Sequence, residues 1–487
     1  MDITNDTIVN TIAASHSEFA VAMLIGLSPS MPAIAAIGIT ASTSATSASS
    51  HAHARDLMYS LPRTYKVRAA MARPQAAYRV CYAPRMRSTI IAAIVLLAAG
   101  VAAQAPQSWN VKIQPLQLAA ERGSSGPQLT VSNKGVLVSW IDPAENGATL
   151  KFAERTAAGW TQPVTVASGE DWFVTEADTP SVLRLSNGTL VADWMQATSE
   201  EFEASNLRLT YSKDEGKTWA KSFLPHHDGT VTQHAFATLF ERPAGGLGLV
   251  WLDGRLTVKD RDHGPMTIRY GAYDAQWKQI SDRGIDAKVC DCCTTSVAMT
   301  ADGPIAVYRN RTDDEIRDIY VSRYEMGVWT AGKPVHNDGW QVEACPINGP
   351  VVSARGKDVV VAWFMARNDQ GQSFAAFSSD SGRTFGDPIR LDDGSSLGKV
   401  DIEMLDDGSA VATYIEFASQ RGQLRMRHID RSGTKSAPMT IAGASGGRVA
   451  GVPRLAKSGN DLVVAWVETP ESGGVGTVKT ATAALPY

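Results

Sequence analysis

At 487 residues the chain is long enough for two or three average domains or for one large repeat fold. A net charge of -4 supplies no basic surface of the kind that nucleic acid requires, so no nucleic-acid partner is expected. Abundant glycine (41) and frequent tryptophan (12) suit many short strands joined by tight turns and point to an all-β fold.

Residues 1–85 are rich in Ala, Ser and Thr and show no sustained periodicity. The run at 40–50 cannot bury enough apolar surface to order itself, so the segment reads as a disordered leader or as the product of an upstream start codon. Residues 86–105 have the parts of a secretory signal: Met86 and Arg87 as a basic start, an apolar stretch over 90–101, and a small-residue exit with cleavage after Ala103 or Ala105. The apolar run is shorter than the ~20 residues that span a bilayer, so the mature chain is expected to be exported, periplasmic or extracellular, without a stable membrane span.

From residue 106 onward a repeat dominates. Apolar strands end in an aromatic residue at Trp140, Trp194, Trp251, Tyr308, Trp363, Tyr414 and Trp466, at steps of 54, 57, 57, 55, 51 and 52 residues. Ahead of each aromatic stands an apolar stretch, a turn such as Ser186-Asn187-Gly188 or Asp406-Asp407-Gly408, and then an alternating strand, which together describe a hairpin. A second hairpin usually follows, as over 207–223 and 374–389. Four antiparallel strands per unit, repeated radially, predict a β-propeller over 106–487, with seven blades favoured over six and a pair of β-sandwiches as the other all-β solution. The seventh unit has about three strands and residues 109–118 read as one strand without a unit, so these two ends are expected to pair and close the ring.

Two outer hairpins carry the pattern S-x-D-x-G-x-T-[W/F], at Ser212-Lys213-Asp214-Glu215-Gly216-Lys217-Thr218-Trp219 and at Ser378-Ser379-Asp380-Ser381-Gly382-Arg383-Thr384-Phe385. A short Asp can accept local backbone N–H bonds while Gly supplies a positive φ, which is the chemistry of a tight turn. With the blade repeats, these motifs resemble the sialidase-like Asp-box (BNR repeat) family. The resemblance implies an exported propeller, monomeric, acting as an exo-α-sialidase-like glycoside hydrolase on an acidic glycan. In that family three arginines clamp the substrate carboxylate, a Tyr activated by a Glu attacks, and an Asp is the acid/base. Here Gly126-Pro127-Gln128 stands where the family has Arg-Ile-Pro, and Tyr308 and Tyr414 occupy the repeated packing slot.

Strand direction selects one face for chemistry. The start of each innermost strand and the end of the second lie on the same side, opposite the Asp turns. That side carries Asp178 with Asp253 as the first-choice carboxyl pair and Glu416 with Asp401 as the second, a pair being what glycoside hydrolysis needs. Arg255, Arg309, Arg311, Arg367 and His234 are the candidate substrate-binding groups, since Arg forks hold a carboxylate in a bidentate way. The alternative function is a noncatalytic propeller that binds a glycan, a protein or a metal at this same face.

Cys81 falls in the leader and leaves Cys290, Cys292, Cys293 and Cys345, an even number suited to disulfides in an exported chain. Cys345 is expected to bridge to one of the other three. No cofactor is expected on that reading; the alternative is a copper(I) or zinc site on these sulfurs, with His234 or His336 near it.

Overall fold

The computed structural model describes residues 109–175, 177, 180–198, 204–259, 264–446, 451–470 and 474–486. The expected leader and signal segment, and Asp178, lie outside them. The alternating segments form seven antiparallel sheets arranged as the blades of a propeller. Their innermost strands are Ser125–Ser132, Val182–Arg184, His234–Glu241, Ser296–Thr300, Val351–Arg355, Ser396–Met404 and Arg454–Ser458, and these pack around the central axis.

Closure follows the sequence expectation. Ile113–Leu116, ahead of the first blade, pairs with Thr477–Ala484 as the outermost strand of the seventh, in the register Ile113↔Ala483 to Leu116↔Thr480. The Thr480 hydroxyl donates to the Leu116 carbonyl at 2.5 Å, and Trp160 Nε1 of the first blade donates to the same hydroxyl at 2.8 Å. Without this strand Thr477–Ala484 would present an unpaired edge.

Between successive blades the apolar faces meet face to face. Leu183, Val191 and Leu209 of the second blade, for example, pack on Leu247, Leu249 and Trp251 of the third. The repeated aromatic slot lies in these interfaces, and all seven of its residues are buried. A buried indole or phenol usually finds a partner for its polar tip, although Tyr414 Oη and Trp466 Nε1 have none among the described residues. Trp140 and Trp251 find theirs two residues on, at Asp142 and Asp253, each at 2.9 Å, while Trp363 uses Asp338 and Tyr308 uses Asp286.

In the second blade the outer hairpin over 207–223 closes on the bridge Leu209↔Phe223, with both backbone bonds at 2.9 Å, so its fourth strand is reduced to that bridge. The tight turn begins at Ser212. In it Asp214 accepts the Ser212 hydroxyl at 2.8 Å, the Thr218 N–H at 2.9 Å and the Thr218 hydroxyl at 2.7 Å, while Glu215 and Gly216 take φ of 62° and 82°. Asp380 repeats these bonds with Ser378 and Thr384, and Ser381 and Gly382 repeat the conformation.

Thr218 and Ser212 hold the Asp214 carboxyl down to about 2, and Thr384 and Ser378 do the same for Asp380 against a partial burial that opposes them. Both folded values lie below the unfolded value of about 3.9, so their stabilisation is present above that value and is lost as pH falls toward 2. The double variant Asp214→Asn/Asp380→Asn is therefore expected to unfold at lower denaturant than the parent near neutral pH, with the gap closing toward pH 2. A gap that stays constant with pH would remove the charge-based account of these turns.

Candidate functional site

The third blade builds the densest cluster of ionisable groups on the face where innermost strands begin. Antiparallel pairing sets His234, the first residue of its inner strand, directly across from Asp253, the last residue of Leu247–Asp253. A β-bulge follows between Ala235 and Thr238, with Phe236 at φ 56°, and it re-aims the strand next to the cluster. Ahead of the strand, Asp228 forms a local turn in which one carboxylate oxygen accepts the Thr230 N–H at 3.0 Å and the Thr230 hydroxyl. That turn leaves Asp228 Oδ2 facing His234 Nε2 at 3.0 Å and Arg255 Nη2 at 3.3 Å.

Asp253 is fully buried and accepts from Trp251 Nε1, from Arg255 Nε and Nη2, both at 2.7 Å, and from the Arg255 N–H at 3.1 Å. His234 Nε2 lies 3.8 Å from its Oδ2. Burial opposes ionisation of both carboxylates. For Asp228 the Thr230 bonds and the charges of His234 and Arg255 overcome it; for Asp253 the Arg255 bonds and the His234 charge do so. Both are held below the usual carboxylate range.

The two imidazoles of the cluster are in different situations. His234 Nδ1 faces the Ser205 and Thr232 carbonyls at 3.1 and 3.2 Å, and its Nε2 faces the Asp228 carboxylate, so both nitrogens meet acceptors, the set that a doubly protonated ring satisfies. His226 stacks on it at 3.7 Å with an interplanar angle of 6°. Burial, and then the charge of His234, push His226 down to about 3, so it stays neutral. His226, Asp228 and His234 bring three ligand atoms within 4.8 Å of one another. Parallel stacked rings aim their nitrogens along parallel planes instead of at one point, and Arg255 already occupies the carboxylate, so the trio suits proton handling better than metal binding.

Of the residues expected from sequence, the structure thus joins Asp253, Arg255 and His234. Asp228 and His226 were missed; the signal for them was an Asp228-Gly229-Thr230 turn within ten residues of His234, in a loop otherwise without pattern. Arg309 departs from its expected role at the mouth. It is 2% exposed and its guanidinium is filled by carbonyls of Asn348, Arg317 and Phe364, with Trp340 stacked 4.8 Å from it, so it ties blades together. Arg311 is held by Glu315 at 2.8 Å, and Arg367 is exposed at the end of Asp358–Arg367.

The pair Glu416 and Asp401 does not form. Glu416 binds Arg425 Nε at 3.0 Å and the Asp393 N–H at 3.1 Å, whereas Asp401 accepts the N–H groups of Ile402 and Leu455 deep on the inner strand. Asp401 instead shares the axis with Glu403, two residues along the same strand face. Both line a cavity of about 1070 Å³, which runs along the inner strands to turn residues Asn133, Gly245 and Asp302 on the opposite side of the ring. Burial raises Asp401 to about 6 against the pull of Arg454, and burial together with the Asp401 charge raises Glu403 to about 8.

At the fourth blade, Cys292 and Cys345 form a disulfide that staples it to the fifth. Cys290 and Cys293 are free thiols, both 1% exposed and 3.5 Å apart. Burial raises the Cys290 thiol. It would raise Cys293 too, but the Cys290 thiol, the Arg309 charge and the Asn348 N–H bring Cys293 down to about 6. Neither expected histidine joins them: His234 is held by Asp228, and His336 is paired with Asp338 at 2.7 Å.

No family model and no curated protein sequence matches the chain. Solved structures similar to it include the polysaccharide lyase Uly1, with 12% identity and a TM-score of 0.48 over 80% of this chain and 95% of that one. The α-L-arabinofuranosidase of Fusarium graminearum with arabinobiose has 12% identity and a TM-score of 0.41 over 77% and 98%. The phage phi92 endosialidase has 7% and 0.44 over 78% and 70%. At these identities the likeness concerns the fold alone.

The channel pair gives a prediction of its own. A carboxyl raised above its unfolded value of about 4.3 holds its proton longer in the folded state, so stability is full below that value and declines as pH rises through the folded one. Glu403→Gln is expected to match the parent near pH 4 and to exceed it in denaturant midpoint near pH 9. An equal midpoint at both ends would show that Glu403 is not raised.

Proposed function

We propose that the chain is an exported glycan-processing propeller, a glycoside hydrolase acting on an acidic sugar at the Asp228, His234, Asp253 and Arg255 cluster. The carrying observation is that two ionised carboxylates, Asp253 fully buried and Asp228 half-buried, flank one imidazole whose nitrogens both face acceptors. Packing that many charged groups together without water costs several kcal/mol of desolvation, a burden tolerated more often at functional sites than in plain cores. His234 serves as the proton donor to the leaving oxygen, and Asp253 or Asp228 as the base or nucleophile, the ionised member that glycoside hydrolysis requires beside its acid. Arg255 is the cluster's opening to solvent, with 19% of its side chain accessible, and it engages the sugar's carboxylate. The signal-like segment 86–105 supports export to the periplasm or beyond.

Fluorogenic sialosides and uronosides supply the assay. The parent is expected to turn over at least one of them, and His234→Gln and Asp253→Asn are each expected to lower kcat by about 10²–10⁴-fold, the usual range for a positioned acid or base. Saturable glycan binding without turnover across the panel would point to a noncatalytic propeller and overturn the hydrolase. So would full activity in both variants while they remain folded by circular dichroism.

A further inference from the structure

The sulfurs of the fourth blade form a second chemical centre that the hydrolase reading does not use. Cys290, Cys292 and Cys293 place their Sγ atoms within 4.8 Å of one another, with Cys290 at 3.5 Å from Cys293 and 3.8 Å from Cys292. Cys292 is committed to Cys345, which leaves two thiols facing each other in a dry pocket.

A guanidinium balanced by carboxylates stands beside these thiols, Arg317 lying 3.7 Å from Asp291 as well as against Glu315. Arg317, with 5% of its side chain exposed, points Nη1 at Cys290 Sγ from 3.2 Å, and its other nitrogens are fixed by Glu315. Buried guanidiniums aimed at sulfur are stabilising when the sulfur is a thiolate, the form that ligates metals. At 3.5 Å the Cys290 thiol donates to Cys293, and a metal cation shared between the two sulfurs would take the place of that proton.

We propose that Cys290 and Cys293 bind one copper(I) ion as a two-sulfur site, with the Cys292–Cys345 disulfide intact beside it. Soft thiolates select copper(I) among the common biological ions, and a monovalent ion satisfies two ligands without crowding the neighbouring guanidiniums with a second charge. Zinc asks for four ligands in a closed site, and here the disulfide removes two of the four sulfurs while both nearby histidines are bound elsewhere. Metal–sulfur bonds of ~2.3 Å place bridged sulfurs roughly 4 to 4.6 Å apart, so side-chain rotation from the 3.5 Å separation is enough to admit an ion.

The test uses the full chain purified without reductant, titrated anaerobically with copper(I) against a colorimetric copper(I) chelator. The expected result is one ion per chain, with uptake weakened at least 100-fold in Cys290→Ala and in Cys293→Ala and unchanged in Cys292→Ala/Cys345→Ala. No uptake by the parent, uptake unaffected by the first two changes, or binding that begins only after the disulfide is reduced would overturn the site, as would recovery of Cys290 and Cys293 as a second disulfide. Should the alanine variants fail to fold, X-ray absorption of the copper-loaded parent decides. Two sulfur neighbours and no nitrogen uphold the proposal, and a histidine nitrogen or a third sulfur overturns it.

Discussion

Ring closure is the constraint on which the remaining features rest. A single strand, Ile113–Leu116, completes the seventh blade from the other end of the described chain, so the last sheet edge is paired and the interface between the seventh and first blades can form. Once the ring is closed, each inner strand has a neighbour on both sides, and its ends are fixed in direction. Within each blade, antiparallel pairing brings the beginning of the inner strand and the end of the second strand to one face, and it sets His234 in register with Asp253.

The two faces have consequently taken different chemistries. On the side of the strand starts lie the charge cluster of the third blade and, at the fourth, the sulfurs with Arg309 and Arg317. On the opposite side stand the Asp214 and Asp380 turns, whose carboxylates are consumed by their own backbone and hydroxyl groups and so act in shape alone. The central cavity joins neither description. Its Asp401 is raised by burial and its Glu403 by burial and the Asp401 charge, the reverse of the third-blade carboxylates, which Arg255 and His234 hold down. Environment, not residue type, separates the two pairs.

The blade plan was legible because it repeats. The aromatic slot recurs at regular steps and each of its residues is buried, and the pairing of residues 109–118 with the seventh unit followed from counting strands. The cluster was legible only where strand direction fixed it, which covers His234, Asp253 and Arg255. Asp228 and His226 enter from a loop with no period, where a turn bond sets the direction of the carboxylate. Arginine proved the least readable residue. Arg309 sits beside the face in sequence, yet four donor bonds to carbonyls make it a strut, and no pattern in one sequence distinguishes a strut from a clamp. Asp401 was expected beside Glu416, but a bulged register in Ser396–Met404 and its place on the inner strand turn it toward the axis.

The proposed place for an acidic sugar is where His234 and Asp253 meet, and not the cavity along the axis. A crystal structure of the chain with a sialic- or uronic-acid-terminated oligosaccharide tests it most directly. The account predicts the sugar carboxylate within hydrogen-bonding distance of Arg255 and the glycosidic oxygen facing His234. Density for the sugar in the channel, against Asp401 and Glu403, would contradict it.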